Sequence, residues 1–274
     1  MEKRFNGKAL YNPAGKAGEY AKWACNFYVG CSNDCTYCYC KKGILGAVMG
    51  QNEPQLKKCF KDNYDAIKVF EKELKANLSE LQKYGLFFSF TTDPMLPSTI
   101  GLTEIAIDIA TDLSVPVYIL TKCADWLTYM LPRLPINNHG MYAFGFTLTG
   151  CDELEPNATI NQKRIAAMKV LHDNGFKTFA SIEPIIDMNK SLDMIEQSLG
   201  FCDLYKIGLL SGKHDYDKEA LNHFVENVCY LVNNRTKSSK IYWKESVKKY
   251  IGDDIAFDRC VAVNYNMFNI DDHV

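Results

Sequence analysis

Five short runs of apolar and aromatic residues punctuate the chain: Leu86 to Phe90, Val115 to Leu120, Tyr142 to Leu148, Thr178 to Ile182 and Leu204 to Leu210. Each is bounded by polar or turn-forming residues and is too short for a helix. Each therefore predicts a strand covered on both faces. Between the runs, apolar residues recur three and four apart. Ile67, Phe70, Leu74, Leu78 and Leu81 share one helical face, as do Leu102, Ile105, Ala106, Ile109 and Leu113, and later Leu221, Phe224, Val225, Val228 and Val232. Such stripes predict amphipathic helices laid against a sheet. Asn157 is the expected N-cap of a helix running through Leu171, and Asn174-Gly175 its left-handed stop.

Strand and helix alternate in this order, which predicts a parallel sheet with crossover helices, an α/β fold. With the strand-like stretch ending Tyr28-Val29-Gly30 included, six βα units are visible. Their spacing suits a six-stranded open barrel and a doubly wound sheet equally. A chain of 274 residues with 47% hydrophobic content has the length and core of one such domain.

Composition narrows the setting. No apolar stretch approaches the roughly 20 residues that cross a bilayer, so no membrane association is expected. The eleven cysteines are odd in number, and Met1-Glu-Lys-Arg-Phe-Asn-Gly7 lacks the apolar core of an export signal. A reduced, cytoplasmic location is the expectation. The net charge of −2 gives no global attraction to nucleic acid. One local basic run, Lys237, Lys240, Lys244, Lys248 and Lys249, has Tyr242, Trp243 and Tyr250 interleaved. It reads either as a solvated helix face or as a surface that stacks bases while lysines hold phosphates.

The candidate chemistry begins at Cys31-Ser-Asn-Asp-Cys35-Thr-Tyr-Cys38, three thiols in the order C-x3-C-x2-C. One loop that offers three thiolates suits a cubane iron-sulfur cluster with one iron left open. A structural zinc ion needs a fourth ligand; Cys40 is the only very local candidate, and its spacing from Cys38 is tight. Polar residues also follow abruptly on the apolar runs: Thr91-Thr92-Asp93-Pro94, Thr121-Lys122-Cys123, Thr147-Leu-Thr149, Ser181-Ile-Glu183-Pro184 and Ser211-Gly212. In parallel α/β folds ligands sit at these carboxyl ends of strands.

The cluster loop, with the aromatic Tyr37 before its third cysteine, resembles that of the radical S-adenosylmethionine (SAM) superfamily. Gly30-Cys-Ser-Asn-Asp-Cys-Thr-Tyr-Cys-Tyr39, Thr91-Thr-Asp-Pro94, Ile119-Leu-Thr-Lys122 and Leu154-Glu-Pro156 with Arg164 behind it are similar to the spore photoproduct lyase-like branch, over residues 24 to 190. The resemblance implies a partial (β/α)6 TIM-like barrel in a single domain: an N-terminal arm (1–22), the barrel (23–235) and a C-terminal cap (236–274). It implies a [4Fe-4S] cluster on Cys31, Cys35 and Cys38, with SAM chelated to the open iron and cleaved to a 5'-deoxyadenosyl radical by an electron from a reductant such as flavodoxin or ferredoxin. By position Thr92, Lys122 and Thr147 hold the SAM carboxylate, with Arg164 as an alternative to Lys122. Asp93 or Glu183 would accept from the ribose and face the sulfonium.

One position departs from the branch. Phe90 stands where photoproduct lyases carry a hydrogen-donating cysteine, so Cys123 is the candidate substitute donor, with Tyr39 as its relay. The substrate expectation is a nucleic-acid component (DNA, RNA or a nucleotide), or alternatively a peptide or small metabolite. The class of reaction, lyase, oxidoreductase or transferase, stays open. A different reading, a non-catalytic iron-sulfur or zinc binding module, predicts metal without affinity for SAM.

Overall fold

The computed structural model describes residues 4–134, 136–212, 214–236, 238–252 and 259–268. Its strands are β1 (Leu10–Tyr11), β2 (Ala24–Cys25), β3 (Tyr28–Val29), β4 (Gln55–Leu56), β5 (Leu86–Phe88), β6 (Val117–Thr121), β7 (Tyr142–Thr147), β8 (Lys177–Ile185), β9 (Leu204–Leu209) and β10 (Lys240–Trp243). The helices are α1 (Gly43–Met49), α2 (Asn63–Ala76), α3 (Leu78–Tyr84), α4 (Ile100–Asp112), α5 (Leu127–Met130), α6 (Asn161–Asp173), α7 (Met188–Ser198), α8 (Lys218–Arg235) and α9 (Glu245–Ile251). Eight strands form one sheet in the order β1-β2-β5-β6-β7-β8-β9-β10, parallel throughout except for β1. The expected α/β fold, a partial TIM-like barrel, is what the chain adopts.

Period-two alternation divides the strands between two cores. Leu86, Phe88, Val117, Ile119, Phe144, Ile182, Tyr205 and Ile207 point outward into the large core beneath the helices. Phe87, Tyr118, Ala143, Phe179, Leu204 and Tyr242 point inward and make a second core inside the curve of the sheet. Gly145 lies on this inner face, where a Cβ would meet the Phe179 ring at 2.2 Å. Met267 and Phe268 pack against the inner core, Tyr118 Oη donates to Asn266 Oδ1 at 2.8 Å, and Asn266 Nδ2 donates to Lys83 O at 2.8 Å. Because Lys83 just precedes β5, this C-terminal segment stoppers the amino end of the strands. The carboxyl ends stay open.

Several expectations change. The first parallel strand is β2, paired with β5; Tyr28–Val29 forms instead a separate antiparallel pair with β4. The apolar run was right and its partner wrong, because two adjacent short runs compete for one sheet position. The predicted C-terminal cap is only partly a cap: β10 joins the sheet beside β9, and residues 265–268 do the closing. Tyr242 and Trp243 are each 2% exposed and Lys244 is fully buried. Two of the three aromatics of that run are therefore not free to stack bases, while Tyr250 is part-exposed; Lys237 lies outside the described residues. The long stripe from Ile67 to Leu81 breaks at Asn77 into α2 and α3. On α4 the buried face runs through Leu102, Ala106, Ile107 and Ala110, leaving Ile105 half exposed. The N-cap of α6 is Ile160, not Asn157, whose amide groups are spent on Asn33 O and Ser32 O. Gly175 does end the turn after α6, at φ +84°. The stripe on α8 is buried as expected.

The N-terminal arm is anchored rather than loose. The Glu73 carboxylate on α2 accepts from the amides of Lys8, Ala9 and Leu10 at 2.7, 3.0 and 2.8 Å. From there the chain turns inward, and residues 14–20 form part of the barrel's inner wall. No helix among the described residues is long and apolar enough to cross a membrane.

Candidate active site

The same alternation that builds the inner core continues to the carboxyl ends of the strands. Above Tyr118 come Leu120 and Lys122; above Ala143, Gly145 and Thr147; above Phe179, Ser181 and Glu183. Of these, Leu120, Lys122, Thr147, Ser181 and Glu183 border a cavity of about 470 Å³. Cys31, Cys35, Cys38, Tyr37, Tyr39, Thr92, Asp93, Lys122, Thr147 and Glu183 all line it. Residues spread over 153 positions of sequence are thus gathered by one repeated geometric rule.

The cysteine loop is held from several sides. Gly30 has φ +83°, and a Cβ there would lie 2.4 Å from Glu53 O, so only glycine leads the chain into Cys31. Cys31 N donates to Gln51 O (3.0 Å), Thr36 N to Leu154 O (3.0 Å) and Cys38 N to Cys35 O (3.2 Å). The Tyr37 hydroxyl donates to Glu155. Burial pushes the Cys31 thiol up to about 12 and raises Cys35 as well. Cys38 is drawn down to about 6, chiefly by a hydrogen bond from Cys40, against its own burial. Ligation to iron would require these thiols to give up their protons.

Lys122 stands with its ammonium 5.6 Å from the centre of the Tyr37 ring, and the structure gives that ammonium no hydrogen bond or ion pair among the described residues. Burial alone would lower it, but Cys35 and Glu155 outweigh that and hold it above its usual value. Thr92 Oγ1 is buried and also lacks a hydrogen-bond partner. A charged donor and an orphaned hydroxyl on one cavity wall form a setting for an anionic oxygen.

The structure reassigns other expected site residues. Asp93 does not wait for a ligand: it accepts from Asn33 Nδ2 (2.8 Å), Thr121 Oγ1 (2.6 Å), Lys122 N (2.7 Å) and Met95 N (3.0 Å). Its carboxylate is saturated and acts as a hub for the strand-end loops. Arg164 is fully buried behind the cavity, ion-paired to Glu155 at 2.6 Å and bonded to Thr147 O at 2.8 Å, so its guanidinium is engaged within the wall. Glu183 accepts from Tyr20 Oη (2.8 Å) and Lys244 Nζ, with Lys16 Nζ 3.4 Å away. It is not a vacant acceptor for a ribose. Cys123 is only 8% exposed and borders a second cavity with Met95, Trp126 and Thr159, so it is not placed to donate hydrogen in the first. Tyr39 does border the first cavity, its hydroxyl donating to Phe90 O.

Of four residues of the inner wall, Lys16, Tyr20 and Lys206 escaped the sequence reading, and Lys244 was read only as part of the basic run. Two were legible by alternation, since Leu204-x-Lys206 and Tyr242-x-Lys244 place each lysine inward, above a core residue. Lys16 and Tyr20 carry no such signal, because they lie on an irregular segment.

The donor set can be tested against an iron-sulfur cluster and SAM. Among the described residues no three His, Cys, Asp or Glu side chains converge on a point as a single metal ion requires. A cubane makes no such demand, for its irons sit at separate corners and its cysteines line a chamber. Cys31, Cys35 and Cys38 do line one chamber, with soft thiol donors and no competing carboxylate among the three. The unpartnered Lys122 and Thr92 supply what a carboxylate next to that chamber needs. The residues fit both groups.

No protein-family model matches the chain. An uncharacterized protein of Methanocaldococcus jannaschii is 27% identical over 264 residues, covering 92% of this chain and 94% of that one. Among solved structures, a cysteine-to-alanine variant of spore photoproduct lyase superposes with a TM-score of 0.63 at 14% identity, covering 85% of this chain and 79% of the other. A cysteine-to-serine variant of the same lyase gives 0.63 at 13% identity, over 86% and 80%. The likeness establishes a shared fold, the one implied by the resemblance in the cysteine loop.

Proposed function

We propose that this chain is a radical SAM enzyme. The observation that carries the reading is the meeting of Cys31, Cys35 and Cys38 with an unpaired Lys122 and an orphaned Thr92 hydroxyl in one cavity. When bound, a [4Fe-4S] cluster would supply one electron to SAM, yielding methionine and a 5'-deoxyadenosyl radical that takes hydrogen from a substrate. The cofactor carries that chemistry, and the protein binds, orients and shields.

Cys31, Cys35 and Cys38 would hold three irons. Lys122 and Thr92 would bind the methionyl carboxylate, Lys122 as a charge and Thr92 as a hydroxyl donor; Thr147, inward on the neighbouring strand, would complete the wall. Asp93 accepts the backbone amide of Lys122 and so fixes the main chain from which the cation extends. Tyr37, within the cysteine loop and held to Glu155, presents its ring to the Lys122 ammonium at 5.6 Å. Apolar inner-core residues close the floor and exclude water and stray hydrogen donors. The electron would come from a one-electron carrier such as flavodoxin or ferredoxin. The burial of Tyr242 and Trp243 favours a peptide or small metabolite in the cavity over a nucleic acid held on the C-terminal run.

Calorimetric titration of anaerobically cluster-loaded protein with SAM tests the reading. Saturable one-to-one binding is expected. Metal loading without SAM binding would favour the non-catalytic cluster module instead.

A further inference from the structure

The wall of the cavity built by β8, β9, β10 and the N-terminal arm carries a charge arrangement that neither the cysteines nor Lys122 accounts for. Three lysines, Lys16, Lys206 and Lys244, stand among two carboxylates, Glu19 and Glu183. The Lys244 side chain is fully buried between both carboxylates, 3.7 Å from Glu19 and in contact with Glu183. Glu183 also takes the Tyr20 hydroxyl, and Glu19 takes the Tyr242 hydroxyl at 3.0 Å and the Glu245 amide at 2.7 Å. Lys206 Nζ donates to the carbonyls of Glu19 and Tyr20, at 3.0 and 2.9 Å, and lies 5.3 and 5.5 Å from the centres of the Tyr20 and Tyr242 rings, with no carboxylate in contact among the described residues. Three ammonium groups thus share two carboxylates that are already hydrogen-bonded, and Lys206 is the one of the three with no carboxylate in contact among the described residues.

An unmatched buried charge is costly. It is relieved when a lysine sheds its proton or when an anion enters. Lys206 already shows the strain of the first route, pushed down to about 7 by burial and by neighbouring Lys244. The second route has an opening. Lys16 borders the cavity with its side chain 38% exposed, against 14% for Glu183. Its ammonium gives one hydrogen to Leu209 O at 2.7 Å and lies 3.4 Å from Glu183, which leaves a third hydrogen for a ligand. Ser211, at the end of β9, borders the cavity on the same side.

We propose that this wall is an anion subsite for the substrate, in which Lys16, with Ser211, receives a compact oxyanion, a phosphate or carboxylate group carried by the molecule on which the enzyme acts. The proposal rests on the function proposed above only in taking the substrate to share the SAM cavity. A lysine is a point charge on a flexible stem and accepts either group, so the source of the oxyanion is for experiment.

Cluster-loaded protein saturated with SAM, without reductant, is titrated calorimetrically with inorganic phosphate and separately with acetate at fixed ionic strength. One saturable site is expected. Lys16→Gln should weaken it by about tenfold or more, the loss of one charge-assisted hydrogen bond, while Lys16→Arg retains it. Stronger binding of phosphate points to a phosphorylated substrate, and stronger binding of acetate to a carboxylated one. Unchanged affinity in Lys16→Gln, or no saturable binding of either anion to the unaltered protein, overturns the proposal. Failure of SAM to bind strikes the proposed function instead, and the same titration on SAM-free protein still decides the subsite.

Discussion

Asn33 Nδ2 donates to Asp93 Oδ2 at 2.8 Å, and the same oxygen accepts the backbone amide of Lys122 at 2.7 Å. One buried carboxylate thus ties the loop between Cys31 and Cys35 to the strand end that carries the cavity's cation. Replacing Asp93 by Ala strands four donors in a buried setting. A loss of about 3 kcal/mol or more is expected, since each unsatisfied group costs about 1–3 kcal/mol. Iron content after anaerobic reconstitution should fall together with the denaturant midpoint. A stable variant with full iron content would remove Asp93 from its role as hub.

Lys122 and Thr92 are expected to act on SAM and not on the cluster. Lys122→Met should weaken SAM binding roughly 10- to 100-fold, and Thr92→Val roughly tenfold or less, by the usual worth of charged and neutral hydrogen bonds. Cluster absorption should stay at the wild-type level in both. Equal SAM affinity in Lys122→Met would place the carboxylate elsewhere.

Arg164 is expected to behave as a brace. Breaking its buried pair with Glu155 by Arg164→Met leaves a carboxylate unpaired and should destabilise the fold by about 3–5 kcal/mol. Urea unfolding reads this directly. A variant as stable as the parent but defective in SAM binding would return Arg164 to the ligand.

Lys206 gives stability a pH dependence with a definite sign. Its folded value of about 7 lies below the usual 10.5, so between those limits the unfolded chain holds a proton that the native chain has released. Stability from this group therefore rises with pH from about 7 to 10.5, and the burial penalty is fully present below 7. The slope is at most about 1.4 kcal/mol per pH unit. In Lys206→Met this contribution disappears, leaving a flatter profile of unfolding free energy over that window. Parallel profiles for the two proteins would contradict the assignment.

Much of this was legible in the residues and some was not, for physical reasons. Continuous apolar runs located β5 to β9 because strands buried on both faces have no polar positions to obscure them. The cysteine loop was legible because its spacing is local. Asp93, Arg164 and Glu183 were found as polar residues near strand ends, but the side chains they are bonded to were not. Sequence gives proximity to a site without giving the partners that already occupy a side chain: Asn33 and Thr121 for Asp93, Glu155 for Arg164, Tyr20 and Lys244 for Glu183. Lys16 and Tyr20 were hidden because an irregular segment carries them across the inner face of the barrel, a long-range contact with no periodic trace.

The most direct test is chemical. Protein reconstituted with iron and sulfide under anaerobic conditions is mixed with SAM and dithionite, and the products are read by mass spectrometry. The account predicts 5'-deoxyadenosine and methionine from the parent protein and neither from Cys31→Ala, Cys35→Ala or Cys38→Ala. Cleavage persisting in any one of these three, or a fully loaded parent that leaves SAM intact, would contradict it.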